Sequence, residues 1–598
     1  MNVLGIGYGG HDPGAAIVTD QDVVAISEER LNGIKHSRRV FPHLAIHHCL
    51  EFAKLKPSDI DLIVSNKNPF AYQYLERDEK QNKDNVRSVN QFLADFKGTD
   101  NLVINHHFAH AASTYLCSPF DQSAIMTIDG AGALLATPTG YTARESDSLY
   151  FGNGNEIHEI HKAIHVAGNN KNHYHQTYGI GKFYAHISSK YLGFGRYCEG
   201  KAMGLSSFGN AENIYKNIPR DNWVREINGF YYCNPKIVWP GRGWRRRPKA
   251  LKEFLLGIQK RISSGNNRLP DSIYSDVFKV IRLLKPSGNS NDVVDDDYYA
   301  DVAAVAQDII EMIFLNMSRR LFNITQSENL CLAGGAALNG VANNKILEDG
   351  KFKNIFIQPA SSDSGLPLGA ALWGHRSFAS SPNNYVMRSA YLGMQYSESV
   401  ILDALSNING IEYYRSENIE NDSAKLIADG AVLGWFQGRS EYGPRSLGSR
   451  SILCDPRALE MKDKLNNKIK KRENWRPFGA SVLLECMSDF FEIDSESPFM
   501  LYVPNVRPHK KQLIPALVHA DGTCRIQSVT KQDNGLFYDL IKVFYSLTGI
   551  PLIVNTSFNL AGNPIVETPK DALDCFAQSE MDYLAIDHFM VSKKEARS

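Results

Sequence analysis

The chain opens on short apolar runs separated by small-residue turns: residues 3–6, the loop GYGGHDPG, residues 15–18 and residues 23–26. Apolar runs of this length bounded by Gly, Pro and Asp predict strands joined as a hairpin around a glycine-rich loop. In the middle of the chain Val302, Val305, Ile309, Ile313, Met317 and Leu321 recur at intervals of three or four, which predicts an amphipathic helix over 301–321. An apolar strand at 329–333 follows and ends at Gly334-Gly335. The periodicity is lost in HRSFASSPNNYVMRS, which predicts a linker at 377–390 between domains at 1–376 and 391–598. The second block carries apolar strands at 432–436, 481–484 and 551–555 and helical stretches near 462–471 and 537–547. Strands and helices thus alternate throughout, without internal repeats, and the expected class is α/β.

Composition narrows the function classes. At 598 residues the chain exceeds what one hydrophobic core normally serves. Its 65 Lys and Arg balance 65 Asp and Glu, so no net field favours a nucleic acid or an anionic membrane as partner. The nine cysteines are scattered without a CxxC pair, as suits reduced thiols in a cytoplasmic protein. No basic segment followed by a long apolar run begins the chain, and no run of about eighteen apolar residues occurs in it. The expected localisation is cytoplasmic.

Three groups of residues carry candidate chemistry. In NHHFAHAAST, His106 and His110 stand four apart, so both imidazoles project from one helical face and can chelate a transition metal or simply pack. Asp129 ends an apolar strand and Asp363 precedes a small-residue turn; each is a ligand candidate or a helix cap. The strand–Gly334-Gly335–helix segment, with Asn339 and Asn343 following, is the arrangement in which backbone N–H groups receive a phosphate. In the second block FQGRSEYGPRSLGSRSIL and NNKIKKRENWRPFG set Arg439, Arg445, Arg450, Lys470, Lys471, Arg472 and Arg476 among glycines and prolines. HADGTCR adds Arg525, and NTSFN adds Asn555, Ser557 and Asn559. Guanidinium forks in such loops suit a small polyanion.

In order, HDPGAA, EERLNGIKHSRRVFP, HHFAHA, IDGAG, EGKAMGLSSFG, GGAALNG, SSDSG, GPRSLGSRSIL, KKRENWRPFG, HADGTCR and NTSFN resemble the NodU/CmcH family of O-carbamoyltransferases over nearly the whole chain. The resemblance implies an N-terminal actin/sugar-kinase-like (ASKHA, TsaD-like) domain followed by a C-terminal YrdC-like α/β domain. It implies that carbamoyl phosphate and ATP, with Mg2+, form carbamoyl-adenylate, whose carbamoyl group passes to a hydroxyl of a small-molecule natural product. Carried over by motif, His106, His110, Asp129 and Asp363 look like metal ligands, with Fe(II) expected. Gly334, Gly335 and Asn339 look like the adenylate turn, and Arg445, Lys470, Arg476, Arg525 and Ser557 like the carbamoyl-phosphate and ATP site. The departures from the family pattern, Ser446, Ser449 and Pro13-Gly14, remove no charged group.

His11, beside Asp12, is the candidate general base, with loop fixation as the competing role. Lys35, His36 and Lys201 are candidates for the acceptor pocket, as is the aromatic-rich segment 140–295 with Trp239, Trp244 and Tyr274. Two rival activities share parts of these motifs, a tRNA threonylcarbamoyl-type modification enzyme and an ASKHA kinase-like module. The chain's size and class make a homodimer the prior for its assembly.

Overall fold

The computed structural model of the chain describes residues 1–67, 82–136, 142–167, 179–227, 229–234 and 297–594. The opening apolar runs form β1 (Val3–Gly7), β2 (Gly14–Val18) and β3 (Val23–Ser27), which join β4 (Leu62–Ser65) and β5 (Asp100–Val103) in the order β3-β2-β1-β4-β5. The first three are antiparallel neighbours, whereas β4 pairs parallel to β1 and β5 parallel to β4.

A second sheet repeats this plan. β6 (Gln122–Ile128), preceding the short β7 (Leu134–Ala136), forms an antiparallel meander with β8 (Thr142–Asn153) and β9 (Glu156–Ala167). β10 (Val224–Ile227) and β11 (Phe230–Cys233) make a separate ribbon. β12 (Asn329–Ala333) and β13 (Asn354–Ile357) extend the second sheet in parallel on the other side of β6. One strand order thus occurs twice, which sets the β1–β2 loop and the loop after β6 at equivalent places.

Helices join the two sheets: α1 (His106–Tyr115), α2 (Glu199–Ser206), α3 (Asp297–Thr325), α4 (Gly340–Asp349) and α5 (Leu366–Phe378). The stripe expected on α3 is buried at Val302, Val305, Ile309, Ile313 and Leu321. Two glycines let α5 sink onto its neighbours. A Cβ on Gly5 of β1 would stand 1.9 Å from the Pro367 carbonyl, and one on Gly369 would stand 2.1 Å from the Ala109 carbonyl of α1. That close approach brings Asp363, just ahead of α5, to the start of α1.

Helix α5 extends through Phe378, two residues into the expected linker. The connection that follows packs down rather than hanging free, with Met387, Ala390 and Leu392 buried. Beyond it β14 (Ile411–Arg415), β15 (Leu433–Phe436), β16 (Arg450–Cys454), β17 (Gly479–Leu483), β18 (Arg525–Val529), β19 (Leu552–Ser557), β20 (Tyr583–Ile586) and β21 (Phe589–Lys593) form one mixed sheet. Their order is β14-β21-β20-β15-β16-β19-β17-β18, and α6 (Gly535–Thr548) packs on β17 and β19. The expected helix at 462–471 is one α turn, Glu460–Asp463, that widens into a π turn, Lys464–Ile469.

Backbone acceptors of one half hold cations of the other. Arg30 donates to the carbonyls of Glu441 and Gly443, both at 3.1 Å. Arg439 donates to Gly393 at 2.8 Å and Leu392 at 2.7 Å in its own half, and crosses to the first half through the Val23 carbonyl at 3.4 Å and the Phe52 ring, whose centre lies 4.2 Å from its guanidinium. Gly369→Ala should drive α5 off α1 and destabilise the protein by about 2 kcal/mol, read as a lowered urea midpoint; an unchanged midpoint would show that the helices have room to part.

Candidate active site

His106 and His110 come from the first and second turns of α1, which Asn105 caps by accepting from the Phe108 N–H at 3.1 Å. Asp129 follows β6, and Asp363 lies in the turn before α5. These four side chains each bring one ligand atom into a group whose members all lie within 4.8 Å of one another. His106 Nε2 is 3.5 Å from Asp129 Oδ2 and 3.4 Å from Asp363 Oδ1, and His110 Nε2 is 3.7 Å from Asp363 Oδ1. Yet His106 Nε2, both nitrogens of His110 and Asp363 Oδ1 are buried without a hydrogen-bond partner. Buried polar atoms are rarely left so, and orphans converging from two elements beside the Asp129 carboxylate fit a divalent cation. Burial opposes protonation of His106, but the charges of Asp363 and Asp129 carry its pKa up to about 10. Burial would raise Asp129 and Asp363, and the facing imidazoles hold both low instead.

The glycine turn lies against this group. Gly334 has φ +89°, and a Cβ there would meet the Ile128 carbonyl at 2.2 Å, so only glycine fits. The Gly335 N–H points to Asp129 Oδ1 at 3.2 Å. Asn339 lies off the turn as the cap of α4: it accepts from the Ala342 N–H at 3.1 Å and exchanges bonds with Gln307. Asn343 is likewise engaged, donating to the carbonyls of Ala337 and Leu501.

His11 and Asp12 enter from the β1–β2 loop. His11 Nδ1 meets Asp12 Oδ2 at 3.1 Å, and its Nε2 faces Asp363 Oδ2 at 3.9 Å. Burial lowers the His11 pKa, but the Asp12 bond and the charges of Asp363, Asp12 and Asp129 raise it to about 9. Asp12 Oδ1 also takes His36 Nδ1 at 2.8 Å, and Tyr197 packs its ring 4.5 Å from His11 and 4.9 Å from His36. Asp12, His36, Ser37, Arg39 and Tyr197 have positive φ, five of the ten such non-glycine residues in the described chain. Backbone strain so concentrated marks a site where geometry outweighs comfort.

The structure separates the basic residues of the second half. Arg450 is wholly buried and donates to the carbonyls of Gln437, Gly438 and Ser449, with its guanidinium 3.6 Å from the Phe436 ring centre. Arg439 is spent on the interface already described. Arg445, Arg476 and Arg525 gather instead without such a nest of carbonyls, Arg476 meeting Glu473 Oε2 only at 3.8 Å. Burial lowers all three, mutual repulsion lowers Arg445 further, and Arg525 falls to about 10. The Nε atoms of Arg445 and Arg525 are buried and unbonded.

Strand register explains the convergence. Gly479, three residues past Arg476, pairs with both Arg525 and Asn555, and Ser451 pairs with Ser557. Arg445 also reaches out of its own half, with Nη2 3.5 Å from the Leu338 carbonyl in the glycine turn.

Lys470 and Ser557 meet, but on each other. The buried Lys470 amine bonds Ser557 and Asn559 through four oxygens, Asn559 Oδ1 at 2.8 Å among them. Lys471 stands exposed in a left-handed conformation. Lys201 does not join the histidines: its amine is 2.7 Å from Glu473 Oε1, tying α2 to the motif that holds Arg476. A cavity of about 250 Å³ opens nearby between the halves, lined by Met203, Gln307 and Glu311 on one side and Val503, His519 and Arg525 on the other. Trp239, Trp244 and Tyr274 lie outside the described residues. Tyr197 and Glu473 escaped sequence reasoning, since a tyrosine and a glutamate without periodicity carry no signal. Among the described residues no helix is long and apolar enough to cross a membrane.

The families described as carbamoyltransferase N-terminus and carbamoyltransferase C-terminus match residues 2–372 and 424–593. The nodulation protein NolNO of Sinorhizobium fredii is 33% identical over 604 residues, covering 98% of this chain and 79% of that one. The 3'-hydroxymethylcephem-O-carbamoyltransferase of Streptomyces clavuligerus is 31% identical over 272 residues, 45% of this chain and 49% of its own. Among solved structures, HypF of T. kodakarensis aligns over 64% of this chain and 49% of that one at 13% identity and a TM-score of 0.31. The fold described above rests on strand order, not on that likeness.

The contrast between satisfied and unsatisfied arginines is open to measurement. Arg450→Met removes the guanidinium that faces buried Glu441 and Glu567 and should cost about 3–5 kcal/mol in urea unfolding. Arg445→Met relieves repulsion and should leave the melting temperature unchanged or higher. Equal losses from both variants would mean that Arg445 is structural.

Proposed function

Because the chain belongs to the carbamoyltransferase family and is a carbamoyl-transferring enzyme, we propose that its second half activates carbamoyl phosphate with ATP and its first half passes the carbamoyl group to a hydroxyl. The observation that carries this reading is the pairing of two clusters of opposite need, one of half-buried guanidiniums and one of buried imidazoles and carboxylates. Arg445 and Arg525 hold buried Nε atoms without acceptors and Arg476 meets only Glu473 at 3.8 Å, while unbonded buried atoms of His106, His110 and Asp363 converge beside Asp129. Arg445, reaching Leu338 in the glycine turn, stands between them.

Carbamoyl phosphate and the triphosphate of ATP concentrate negative charge on oxygens that guanidinium forks match in geometry. Carbamoyl phosphate gives up its phosphate to water, and a carbamate oxygen bonds the α-phosphorus of ATP as pyrophosphate leaves. Cations fixed in a half-buried site oppose the charge that develops, without reorganising. The reading takes the second half as YrdC-like in this role and gives Lys470 a supporting one, holding the Ser557–Asn559 loop in place.

Carbamoyl-adenylate then meets the N–H groups of the Gly334-Gly335 turn. The acceptor oxygen bonds the carbamoyl carbon, AMP leaves and the hydroxyl proton passes to the protein. A divalent cation, Fe(II) in this reading, would be held by His106, His110, Asp129 and Asp363 and would supply Lewis acidity toward the phosphate and the carbonyl. His11 is the assigned proton acceptor, oriented by Asp12 on Nδ1. With Asp12, Asp363 and Asp129 uncompensated it stays protonated to about pH 9, so this role needs those charges offset. The acceptor is a hydroxylated small molecule, entering between His11, His36 and Tyr197.

Incubation with carbamoyl phosphate, Mg-ATP and Fe(II) should release one pyrophosphate per adenylate formed. Arg525→Met should lower that release at least a hundredfold, about 2.7 kcal/mol. Release of ADP with a phosphorylated product, and no pyrophosphate, would overturn the reading in favour of a kinase. His11→Asn should leave pyrophosphate release intact and slow carbamoyl transfer from preformed adenylate by at least tenfold; transfer at the wild-type rate would return His11 to loop fixation.

A further inference from the structure

Glu145 is a charged residue in the interior that no part of the reaction above uses. Its relative exposure is 1%, although it belongs to β8, on the far side of β6 from the glycine turn. Each of its polar atoms is committed, and every hydrogen bond its carboxylate accepts from Asn105 and Ala133 runs to a segment that carries or neighbours a candidate metal ligand. Glu145 Oε1 accepts from Asn105 Nδ2 at 2.7 Å, and Asn105 is the residue whose own oxygen caps α1 immediately before His106. Glu145 Oε2 accepts from the Ala133 N–H at 3.0 Å, and its carbonyl accepts from the Gly132 N–H at 2.8 Å. Both donors belong to the loop that begins at Asp129. Lys162 of β9 supplies the compensating charge at 3.1 Å.

The strand is shaped for this contact. Pairing of β8 with β9 shifts register between Glu145 and Asp147, and the Ser146 carbonyl displaced there accepts from the Asp129 N–H at 3.0 Å. A bulge of this kind re-aims the side chains around it. There is no slack in the arrangement: a Cβ on Gly132 would stand 2.5 Å from His107 Nε2 and 2.9 Å from Glu145 Cβ. One carboxylate therefore locks the start of the histidine helix to the aspartate loop.

We propose that Glu145 is the positioning residue of the cation site: it sets the separation of His106 from Asp129 and thereby the affinity of the four-residue group for a divalent metal. The inference rests on the reading of that group as a metal site. Carboxylates that orient metal ligands from behind typically contribute ten- to a hundredfold in affinity.

The test is a titration of the purified full chain with Co(II), followed by calorimetry and by the visible d–d bands. The wild type should bind one Co(II), and His110→Ala should abolish it. Glu145→Ala should weaken binding ten- to a hundredfold and shift the bands, since the ligands themselves remain but their spacing does not. Asn105→Asp keeps a competent helix cap while replacing the donor to Glu145 by a like charge, and should weaken Co(II) in the same direction even if Glu145→Ala folds poorly. Glu145→Gln, which retains one acceptor oxygen, should fall between wild type and Glu145→Ala. Binding and spectra within twofold of wild type in both Glu145→Ala and Asn105→Asp would overturn the positioning role. Absence of Co(II) binding by the wild type would instead overturn the metal reading itself.

Discussion

Charge buried without a partner is the constraint around which this protein is organised. A folded chain ordinarily pairs every interior cation, anion and imidazole, because stripping them of water costs several kcal/mol each. Here that rule holds for Arg439, Arg450, Lys470 and Glu145, whose groups are occupied by neighbouring backbone and side chains. Among the described residues, unbonded buried atoms face one another across the crevice in two groups, the Nε atoms of Arg445 and Arg525 and those of His106, His110 and Asp363 beside Asp129. The paired charges make the scaffold stiff enough to hold the unpaired ones against repulsion and desolvation.

Topology decides where the broken places fall. Duplication of one strand order sets two small-residue loops opposite each other, one with His11 and Asp12 and the other with Asp129. The glycine turn after β12 closes the same crevice, at the carboxyl ends of parallel strands where ligands collect in α/β sheets. The mixed sheet of the second half brings its arginines to one edge by register, and the interface turns that edge toward the crevice. Arg445 and the Lys201–Glu473 pair both cross between the halves, so the arginine group and the histidine–aspartate group share walls.

The same positions explain why similar residues have unlike roles. Arg445 and Arg450 lie five residues apart in one glycine-rich motif, yet the first faces other arginines and the second fills a nest of carbonyls. Asn339 follows a phosphate-type turn but caps the next helix and locks to Gln307. A motif fixes which chemistry is present locally; burial and partners decide whether it is spent on the scaffold or left for a ligand.

The sequence alone determined the strands of the opening hairpin, the apolar stripe of α3, the strand leading into Gly334-Gly335 and the positions of the histidine pair, because these follow from periodicity and turn chemistry within a few residues. It also carried, through ordered motifs, the residues that converge as candidate ligands and as the arginine group. Only the tertiary structure decided that α5 continues past Trp373, that Lys201 serves Glu473, that Arg450 is structural and that Glu145 and Tyr197 belong at the site. Each of those depends on a partner tens or hundreds of residues away, and neither propensity nor spacing encodes which distant carbonyl, ring or carboxylate a side chain will meet.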